Sequence, residues 1–428
     1  MATIKPFKAM RFTEAAGKID ELACPPYDII SEDERKAYLN ENPNNIIRLE
    51  LPRDGENPYE TAGRELGRMR STGVLADDPA SALYIYEERF AVEGQEYSFR
   101  GIITAVKVEN FEKGVVLPHE QTLSKAKTDR FNLMCATGCN FSQIYSLFMD
   151  DERGTAEQLK TLSLAPPLQS FTDGDGVTHS IWAITDEAAI ERLCADFAGR
   201  KIYIADGHHR YETSIKYRDH MHETLGIPAA EDIGADYVMM MLVDMQSDGL
   251  VVFPTHRIVR DLPSFDMAGL LQKCEDYFDI EPLTNGEYQN ALKAEYAADN
   301  KSFVLYAGGE YTLLRLKSKD VMEKFMPGCS AALRMLDVSV LHTLILERLM
   351  GIDKENMANQ INLTYTKSAD EAINNVDGGA ANCAFIINPT RVEEIRDVAA
   401  AGEKMPQKST YFYPKLITGM VMRSIENN

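Results

Sequence analysis

The chain has 428 residues and a formal net charge of −21, with 44% hydrophobic and 26% charged residues. This is the composition of a globular protein with room for two or three domains, and a chain of this length buries a large core without disulfides. An acidic surface repels phosphate backbones and anionic lipid, so generic binding to nucleic acid or to membrane surfaces is excluded from the expected functions.

The targeting and cysteine patterns predict a cytoplasmic protein. No run approaches the roughly 18 apolar residues needed to span a bilayer, and MATIKPFKAM lacks the apolar core of a signal peptide. The seven cysteines are odd in number and scattered, which is typical of free thiols in a reducing compartment. Cys135 and Cys139 form a close pair without a third Cys or His nearby, so no metal site is predicted.

Strand and helix patterns are mixed along the chain. The apolar and polar spacing predicts strands at 46–51, 180–184, 201–205 and 383–387, hairpins at 82–90 with 97–108 and at 302–306 with 311–316, and helices at 59–70, 186–197, 209–225, 338–350 and 392–401. The run YVMMMLVD (237–244) is apolar on both faces, which favours a central strand.

Because strands occur in hairpins as well as beside helices, we expect an α+β (mixed α/β) fold of mixed sheets with hairpins and flanking helices. Segments rich in Pro, Gly and Asp suggest three regions. These are an N-terminal α+β region at 1–165, a segment at 166–262 with the most distinctive motif, and a C-terminal α+β region at 263–428.

Several common motifs are missing from the sequence. There is no Walker A pattern, no Gly-x-Gly-x-x-Gly after a strand, no Gly-x-Ser-x-Gly elbow and no His-Glu-x-x-His. TDGDG begins like a calcium loop, but the twelfth position counted from Asp173 is Ile184 instead of a glutamate. None of these sites is therefore predicted.

The segment IADGHHR lies where the strand KIYIA passes into a helical pattern. The N-terminal amides of a helix form a natural anion cradle. Gly207 allows a positive φ or a close approach to a ligand, Arg210 can hold phosphate with two bonds, and His208 and His209 can donate hydrogen bonds or move protons. Asp206 can hold a metal, an amine or a hydroxyl. The alternative is an ordinary helix cap.

A second polar segment, VLPHEQTLSKAKTDRFNL, predicts a loop followed by a helix. His119 and Glu120 offer a base, and Lys125, Lys127 and Arg130 place three positive charges within six positions. In an acidic protein such a local group of cations favours an anion site. The alternative is a surface helix that carries salt bridges.

Three shorter segments are weaker candidates. The rigid turn CPPYD would aim Tyr27 and its neighbouring aspartate, although a purely structural turn explains it equally well. PTHR adds His256 and Arg257 to a possible anion site. MPQKSTYFYPK places Lys408 beside three aromatic residues, as part of either a pocket wall or the core.

Together these segments resemble an uncharacterised bacterial family, the domain-of-unknown-function family numbered 1015. The matching segments are CPPYD, PHEQTLSKAKTDR, IADGHHRYETS, ADYVMMMLV, PTHR and MPQKSTYFYPK. Membership of this family implies no activity by itself.

ADGHHR is also similar to a motif of the ParB and sulfiredoxin-like fold, especially of archaeal free-serine kinases. In that group the motif, at a helix start, grips a nucleotide phosphate and the small substrate. The resemblance implies that Asp206 handles the substrate or a metal, and that His208, His209 and Arg210 hold phosphates. It also implies an earlier glutamate base, for which Glu120 is the candidate.

The resulting hypothesis is a serine-kinase-like phosphotransferase that acts on a small hydroxylated metabolite, with Mg²⁺ and ATP or ADP as cofactors. The small molecule is the expected partner, and the oligomeric state is left open. The alternatives are a non-catalytic sensor of a nucleotide or phosphorylated metabolite, a phosphate hydrolase, and a metal hydrolase built on the histidines and Glu120. The predicted catalytic residues are Glu120, Asp206 and His208, and the predicted phosphate- or substrate-binding residues are Gly207, His209, Arg210, His119, Lys125, Lys127, Arg130, His256, Arg257 and Lys408.

Overall fold

The computed structural model describes residues 2–120 and 124–426, without the side chains of 124–126. The contacts within the chain divide it into two units. Unit 1 comprises Met1–Pro118, Thr122–Val251 and Pro414–Asn428, and unit 2 comprises His119–Gln121 and Val252–Tyr413.

The strands are numbered in chain order. They are β1 (Ile4–Lys5), β2 (Ala9–Phe12), β3 (Leu75–Asp77), β4 (Leu83–Val92), β5 (Gln95–Lys107), β6 (Val116–Leu117), β7 (Cys139–Asn140), β8 (Ile144–Phe148), β9 (Gln169–Thr172), β10 (Thr178–Ile184), β11 (Ile202–Asp206), β12 (Tyr237–Asp244), β13 (Val251–Phe253), β14 (His256–Val259), β15 (Phe278–Leu283), β16 (Ser302–Ala307), β17 (Glu310–Leu316), β18 (Leu363–Thr366), β19 (Cys383–Ile387), β20 (Tyr411–Tyr413) and β21 (Met422–Ser424).

The α-helices are numbered in the same way. They are α1 (Ile19–Leu22), α2 (Glu32–Glu41), α3 (Ile47–Glu50), α4 (Pro58–Ser71), α5 (Ser124–Thr137), α6 (Gly154–Leu162), α7 (Glu187–Phe197), α8 (His208–Leu225), α9 (Met267–Cys274), α10 (Tyr288–Ala297), α11 (Val321–Phe325), α12 (Ala331–Arg334), α13 (Asp337–Val340), α14 (Lys354–Asn359), α15 (Ala369–Asp377) and α16 (Val392–Ala400). Short 3₁₀ helices cover Glu14–Ala16, Phe111–Lys113 and Gly234–Asp236, and a π-helix covers Leu341–Leu349.

Unit 1 is built on a nine-stranded mixed sheet in the order β6-β11-β8-β12-β5-β4-β10-β9, with β1 beside β5. β12 runs parallel to β8 and antiparallel to β5, and all of its side chains are buried. The prediction of a central strand here is therefore confirmed. One core cluster joins the sheet to Leu159 of α6, Phe197 of α7 and Tyr211 of α8. A smaller sheet has the order β3-β2-β21-β7.

Unit 2 has a six-stranded sheet in the order β15-β17-β16-β19-β14-β18 and a two-stranded ribbon of β13 and β20. Helices α10 and α15 cover this larger sheet through a cluster that includes Leu292, Ala372 and Val304. Within the described residues of the whole chain, no helix has both the length and the apolar content to cross a bilayer.

The predicted fold class is confirmed, since both units mix helices with strands in hairpins. The predicted strand at 46–51 is wrong, because Ile47–Glu50 forms the short helix α3. Its side chains are buried apart from Arg48, and a short buried run does not separate helix from strand by periodicity. The predicted helix at 338–350 becomes α13 followed by the π-helix.

The two units do not follow the three predicted regions. Strands β4, β5 and β8 come from the first predicted region, and β10, β11 and β12 come from the second. All six belong to one sheet, so the two regions share a single unit.

Gly101, in the middle of β5, offers a test of this central packing. A Cβ atom there would lie 2.7 Å from the carbonyl oxygen of Leu242 and equally close to side-chain atoms of Met241 and Val243. Because backbone cannot move away cheaply, Gly101→Ala should destabilise unit 1 by about 1–3 kcal/mol in urea unfolding. Gly174→Ala, where a Cβ meets nothing within 4 Å, is the control. Equal midpoints for the two variants would contradict this packing.

Candidate functional site

The motif at the start of α8 is built around Gly207. β11 ends at Asp206, and Gly207 takes a φ of 97° before α8 begins. A Cβ atom on Gly207 would lie 2.9 Å from Nη2 of Arg210, because the guanidinium folds back over this residue. Glycine is therefore required both for the backbone conformation and for the close approach of Arg210.

Asp206 lies between two cations. Its Oδ1 accepts a hydrogen bond from Nζ of Lys415 at 2.8 Å, and its Oδ2 accepts one from Nη2 of Arg210 at 3.1 Å. Burial alone would raise the pKa of Asp206, but the charges of Lys415 and Arg210 outweigh it and hold the pKa well below its usual range. Asp206 is therefore an ionised carboxylate at neutral pH.

Arg210 connects Asp206 to buried residues of unit 1. Its Nη1 donates to Oγ of Ser142 at 3.0 Å and to the carbonyl oxygen of Gln143 at 2.7 Å. The hydroxyl of Ser142 in turn donates to Oε1 of Glu50 at 2.7 Å. We call these residues, Glu50, Ser142, Asp206, Arg210 and Lys415, the Asp206 network. A phosphate bound here would have to share the guanidinium of Arg210 with the protein acceptors that this group already contacts.

Glu50 is the inner end of the Asp206 network and is 3% exposed. Burial raises its pKa, and the nearby Arg130 and the Ser142 hydroxyl offset only part of this effect. Nη1 of Arg130 donates to the carbonyl oxygen of Glu50 at 2.7 Å, and the guanidinium lies over the ring of Tyr27 at 3.9 Å. A cavity of about 30 Å³ lined by these charged groups has room for one water molecule.

Two basic residues of α5, Lys127 and Arg130, form ion pairs. Nζ of Lys127 lies 2.7 Å from Oε2 of Glu212 on α8, and Nη2 of Arg130 lies 2.5 Å from Oδ2 of Asp129. The side chain of Lys125 lies outside the described residues. Both the anion site and the salt-bridged helix were open interpretations of this segment, and the ion pair of Lys127 with Glu212 fits the second.

The histidines of the motif differ in exposure. His208 is buried at 5% exposure, and His209 is half-buried. His208 also adds a positive contribution to the field at Asp206 when it is charged. Their roles as catalytic and phosphate-binding residues stay predictions.

His119, Glu120 and Lys408 belong to unit 2. Nε2 of His119 lies 3.2 Å from Oγ1 of Thr410, and the backbone amide of Lys408 donates to Oε1 of Glu120 at 3.3 Å. Lys408 has a φ of 55°, which is an uncommon backbone conformation for a residue other than glycine. The structure thus groups these three predicted residues in unit 2 and groups Asp206 to Arg210 in unit 1. The action of Glu120 as base for the motif stays a prediction.

His256 and Arg257 are interior residues of unit 2. The guanidinium of Arg257 has no exposed surface, and it donates to Nε2 of His342 at 3.1 Å and to the carbonyl oxygen of Lys408 at 3.1 Å. Nδ1 of His256 accepts the backbone N–H of Ile387 at 3.2 Å. Burial, helped by the charge of Arg257, lowers the pKa of His256 to about 4. Both side chains serve the interior of unit 2 in this structure, and their binding of phosphate stays a prediction.

Glu50, Ser142 and Lys415 were missed by the sequence analysis. Lys415 ends the segment MPQKSTYFYPK, in which only Lys408 was selected. Glu50 stands in the apolar run IIRLEL, and a lone acid in such a run is a signal of a buried charge. Ser142 carries no local signal, since its role depends on the approach of Arg210 from a distant part of the chain.

Mg²⁺ fits this arrangement poorly. Within the described part of the chain, no group of three His, Cys, Asp or Glu side chains is placed to hold a metal ion. Protein-bound Mg²⁺ commonly uses one or two carboxylates together with phosphate oxygens. Both oxygens of Asp206 already accept hydrogen bonds from cations, so this carboxylate is poorly suited to bind a metal ion.

Residues 4–339 match the family described as "Protein of unknown function (DUF1015)". The chain belongs to this family. The match confirms the family resemblance and ends before the segment MPQKSTYFYPK, so Lys415 lies outside the matched range of the DUF1015 protein. A search of curated proteins finds no match to the chain.

Solved structures similar to this DUF1015 protein include three with different names. A conserved hypothetical protein from Pyrococcus furiosus is 13% identical, covers 77% of this chain and 97% of its own, and has a TM-score of 0.35. A free serine kinase in complex with AMP is 12% identical, with coverages of 77% and 93% and a TM-score of 0.37. SbnI from Staphylococcus aureus is 9% identical, with coverages of 75% and 87% and a TM-score of 0.35. At these values the likeness supports no argument about the function of this chain.

The charge state of Asp206 is testable through stability. Asp206→Asn should lower the free energy of unfolding at pH 7 by about 1.5–3 kcal/mol, the scale of hydrogen bonds to a charged group. Because the folded-state pKa is depressed, this contribution is present above the ordinary value of 3.8 and is lost as the pH falls below it. The deficit of the variant should therefore shrink on acidification. Asp219→Asn, exposed on the same helix, is the control, and an equal, pH-independent loss in both variants would refute the ion pair.

Proposed function

We propose that unit 1 binds a phosphate-bearing small molecule at the start of α8. We also propose that the protein transfers a phosphoryl group between a nucleotide and a small hydroxylated metabolite. The observation that supports this proposal most directly is the grouping of cations around one ionised carboxylate. Lys415 and Arg210 both contact Asp206, in a chain of net charge −21.

The local charge balance favours an anion. Arg210 and Lys415 both contact Asp206, whereas Arg130 is already paired with Asp129. Two cations beside one carboxylate at a helix start oppose the overall negative charge of the protein there. The dipole of α8, which is 18 residues long, adds to that field at its N-terminus.

Phosphoryl transfer requires mainly positioning of the reactants and neutralisation of charge on the transferred group. Lys415 and Arg210 supply positive charge, and Asp206 holds both side chains in place. With its pKa well below the usual range, Asp206 is a weak base, since a general base works best with a pKa near the working pH. We therefore assign Asp206 to orienting the cations and keep Glu120 as the candidate base.

A turnover assay separates this proposal from a non-catalytic sensor. The protein is incubated with serine, Mg²⁺ and either ATP or ADP, and phosphoserine is measured. Formation of phosphoserine, or of another phosphorylated product from a panel of hydroxylated metabolites, is the expected result. Tight nucleotide binding with no product in the whole panel would favour the sensor, and release of inorganic phosphate alone would favour the hydrolase.

Lys415 provides the matched binding test. Lys415→Met should weaken ADP binding by about tenfold or more, because the loss of the ammonium also leaves the charge of Asp206 less compensated beside the phosphates. Isothermal titration calorimetry gives the dissociation constant, and circular dichroism confirms folding. Lys36→Met removes an exposed lysine of α2 and should bind ADP like the unchanged protein. Unchanged ADP affinity in the Lys415 variant would show that ADP does not bind at the start of α8.

A further inference from the structure

A second cavity in unit 1, of about 210 Å³, lies at the carboxyl ends of the parallel strands β8 and β12. Phe148 ends β8, Asp244 ends β12, and the two residues are paired in register. Asp206 is instead paired with Tyr145, near the opposite end of β8. The cavity is therefore distinct from the Asp206 network, and it has the position at which open sheets with parallel strands bind ligands.

Asp244 places in the lining of the cavity a carboxylate oxygen to which no described residue donates a hydrogen bond. The residue is 5% exposed, and its Oδ1 accepts the backbone N–H of Gln246 at 3.1 Å. Its Oδ2 is buried and has no hydrogen-bond partner among the described residues, although Nε of Arg153 lies 3.4 Å away. Burial also raises the pKa of Asp244. A buried acceptor without a donor is unfavourable, so a ligand that donates to Oδ2 would gain binding energy.

The lining of the cavity carries three basic side chains together with the exposed acid Glu157. Arg153 and Lys160 are exposed, and Arg100 is partly exposed and pairs with the buried Glu87. Lys160 makes no ion pair within the part of the chain that the structure describes. Arg153 has a φ of 56° where it precedes α6, and its Nη1 donates to the carbonyl oxygen of Gln246 at 3.1 Å. The arginine is thus held beside the cavity at the cost of an uncommon backbone conformation.

Part of the cavity lining is apolar. Phe99, Phe148 and Leu159 line the cavity and are buried. The segment after β12 closes against β5 at Gly249, where a Cβ atom would lie 2.0 Å from the carbonyl oxygen of Ser98. Only glycine allows this approach without a shift of the backbone.

We propose that this cavity binds a free α-amino acid. Its ammonium group would donate to Oδ2 of Asp244, and its carboxylate would bind Arg153 and Lys160 at the outer lining. An anion without an amine would leave Oδ2 of Asp244 without a hydrogen-bond donor, and an amine without an anion would bring no counter-charge to Lys160. A zwitterion satisfies both ends, and its side chain would contact the aromatic wall. This site is independent of the proposed phosphoryl transfer.

The first experiment measures which chemical groups are needed. The protein is titrated calorimetrically with each of the proteinogenic L-α-amino acids up to millimolar concentration. We expect at least one to bind. For that amino acid, the matched carboxylic acid without the amine and the matched amine without the carboxylate should each bind about tenfold more weakly or worse, since each loses a charge-assisted contact. Failure of every amino acid to bind, or equal affinity of the amine-free acid, overturns the proposal.

Two variants then locate the site. Asp244→Asn keeps the shape and the acceptor for Gln246 but should weaken amino-acid binding by about tenfold or more. Lys160→Glu changes an exposed position on α6, so folding is preserved even if the first variant is unstable, and binding should weaken as well. Lys36→Met, at an exposed position of α2, should keep the affinity of the unchanged protein. If either folded cavity variant keeps that affinity, or if Lys36→Met loses it, the assignment to this cavity is overturned.

Discussion

The carboxylate of Asp206, held between Lys415 and Arg210, is the interaction on which the candidate site in unit 1 depends. It joins the end of β11, the first turn of α8 and the segment that follows residue 413. Arg210 folds over Gly207 as a result, and from there it reaches Ser142 and, through that hydroxyl, Glu50. Without the two cations, burial would push Asp206 towards its neutral form. Without Asp206, the guanidinium would lose one of its three acceptors.

This arrangement changes the roles expected of the motif. The sequence suggested that Arg210 is directed at phosphate oxygens and that Asp206 handles the substrate. In the structure the guanidinium is shared among three acceptors of the protein itself. A phosphate at the start of α8 would therefore be stabilised by Lys415 and Arg210 together with the dipole of α8, instead of by one arginine alone. Charged side chains that already hold each other in place need little rearrangement when a charged ligand binds, so binding costs little reorganisation energy.

Much of the fold was predictable, because long periodic segments carry their own signal. The apolar run of β12 and the strand-to-helix change at Gly207 were both clear in the sequence. Ile47–Glu50 was mistaken for a strand because a short buried run has the same composition in either conformation. The contacts of the Asp206 network could not be predicted from the sequence. Lys415 is 209 positions from Asp206, and Ser142 is 68 positions from Arg210. Such pairs follow from the order of strands in the sheet, which single-sequence patterns do not determine.

A crystal structure of the protein with ADP tests the central claim most directly. The account predicts that the terminal phosphate lies at the start of α8, with Lys415 and Arg210 beside it and Asp206 still in contact with both. ADP bound with its phosphates away from this helix, or a start of α8 that stays without phosphate at an ADP concentration that saturates binding in solution, would contradict it.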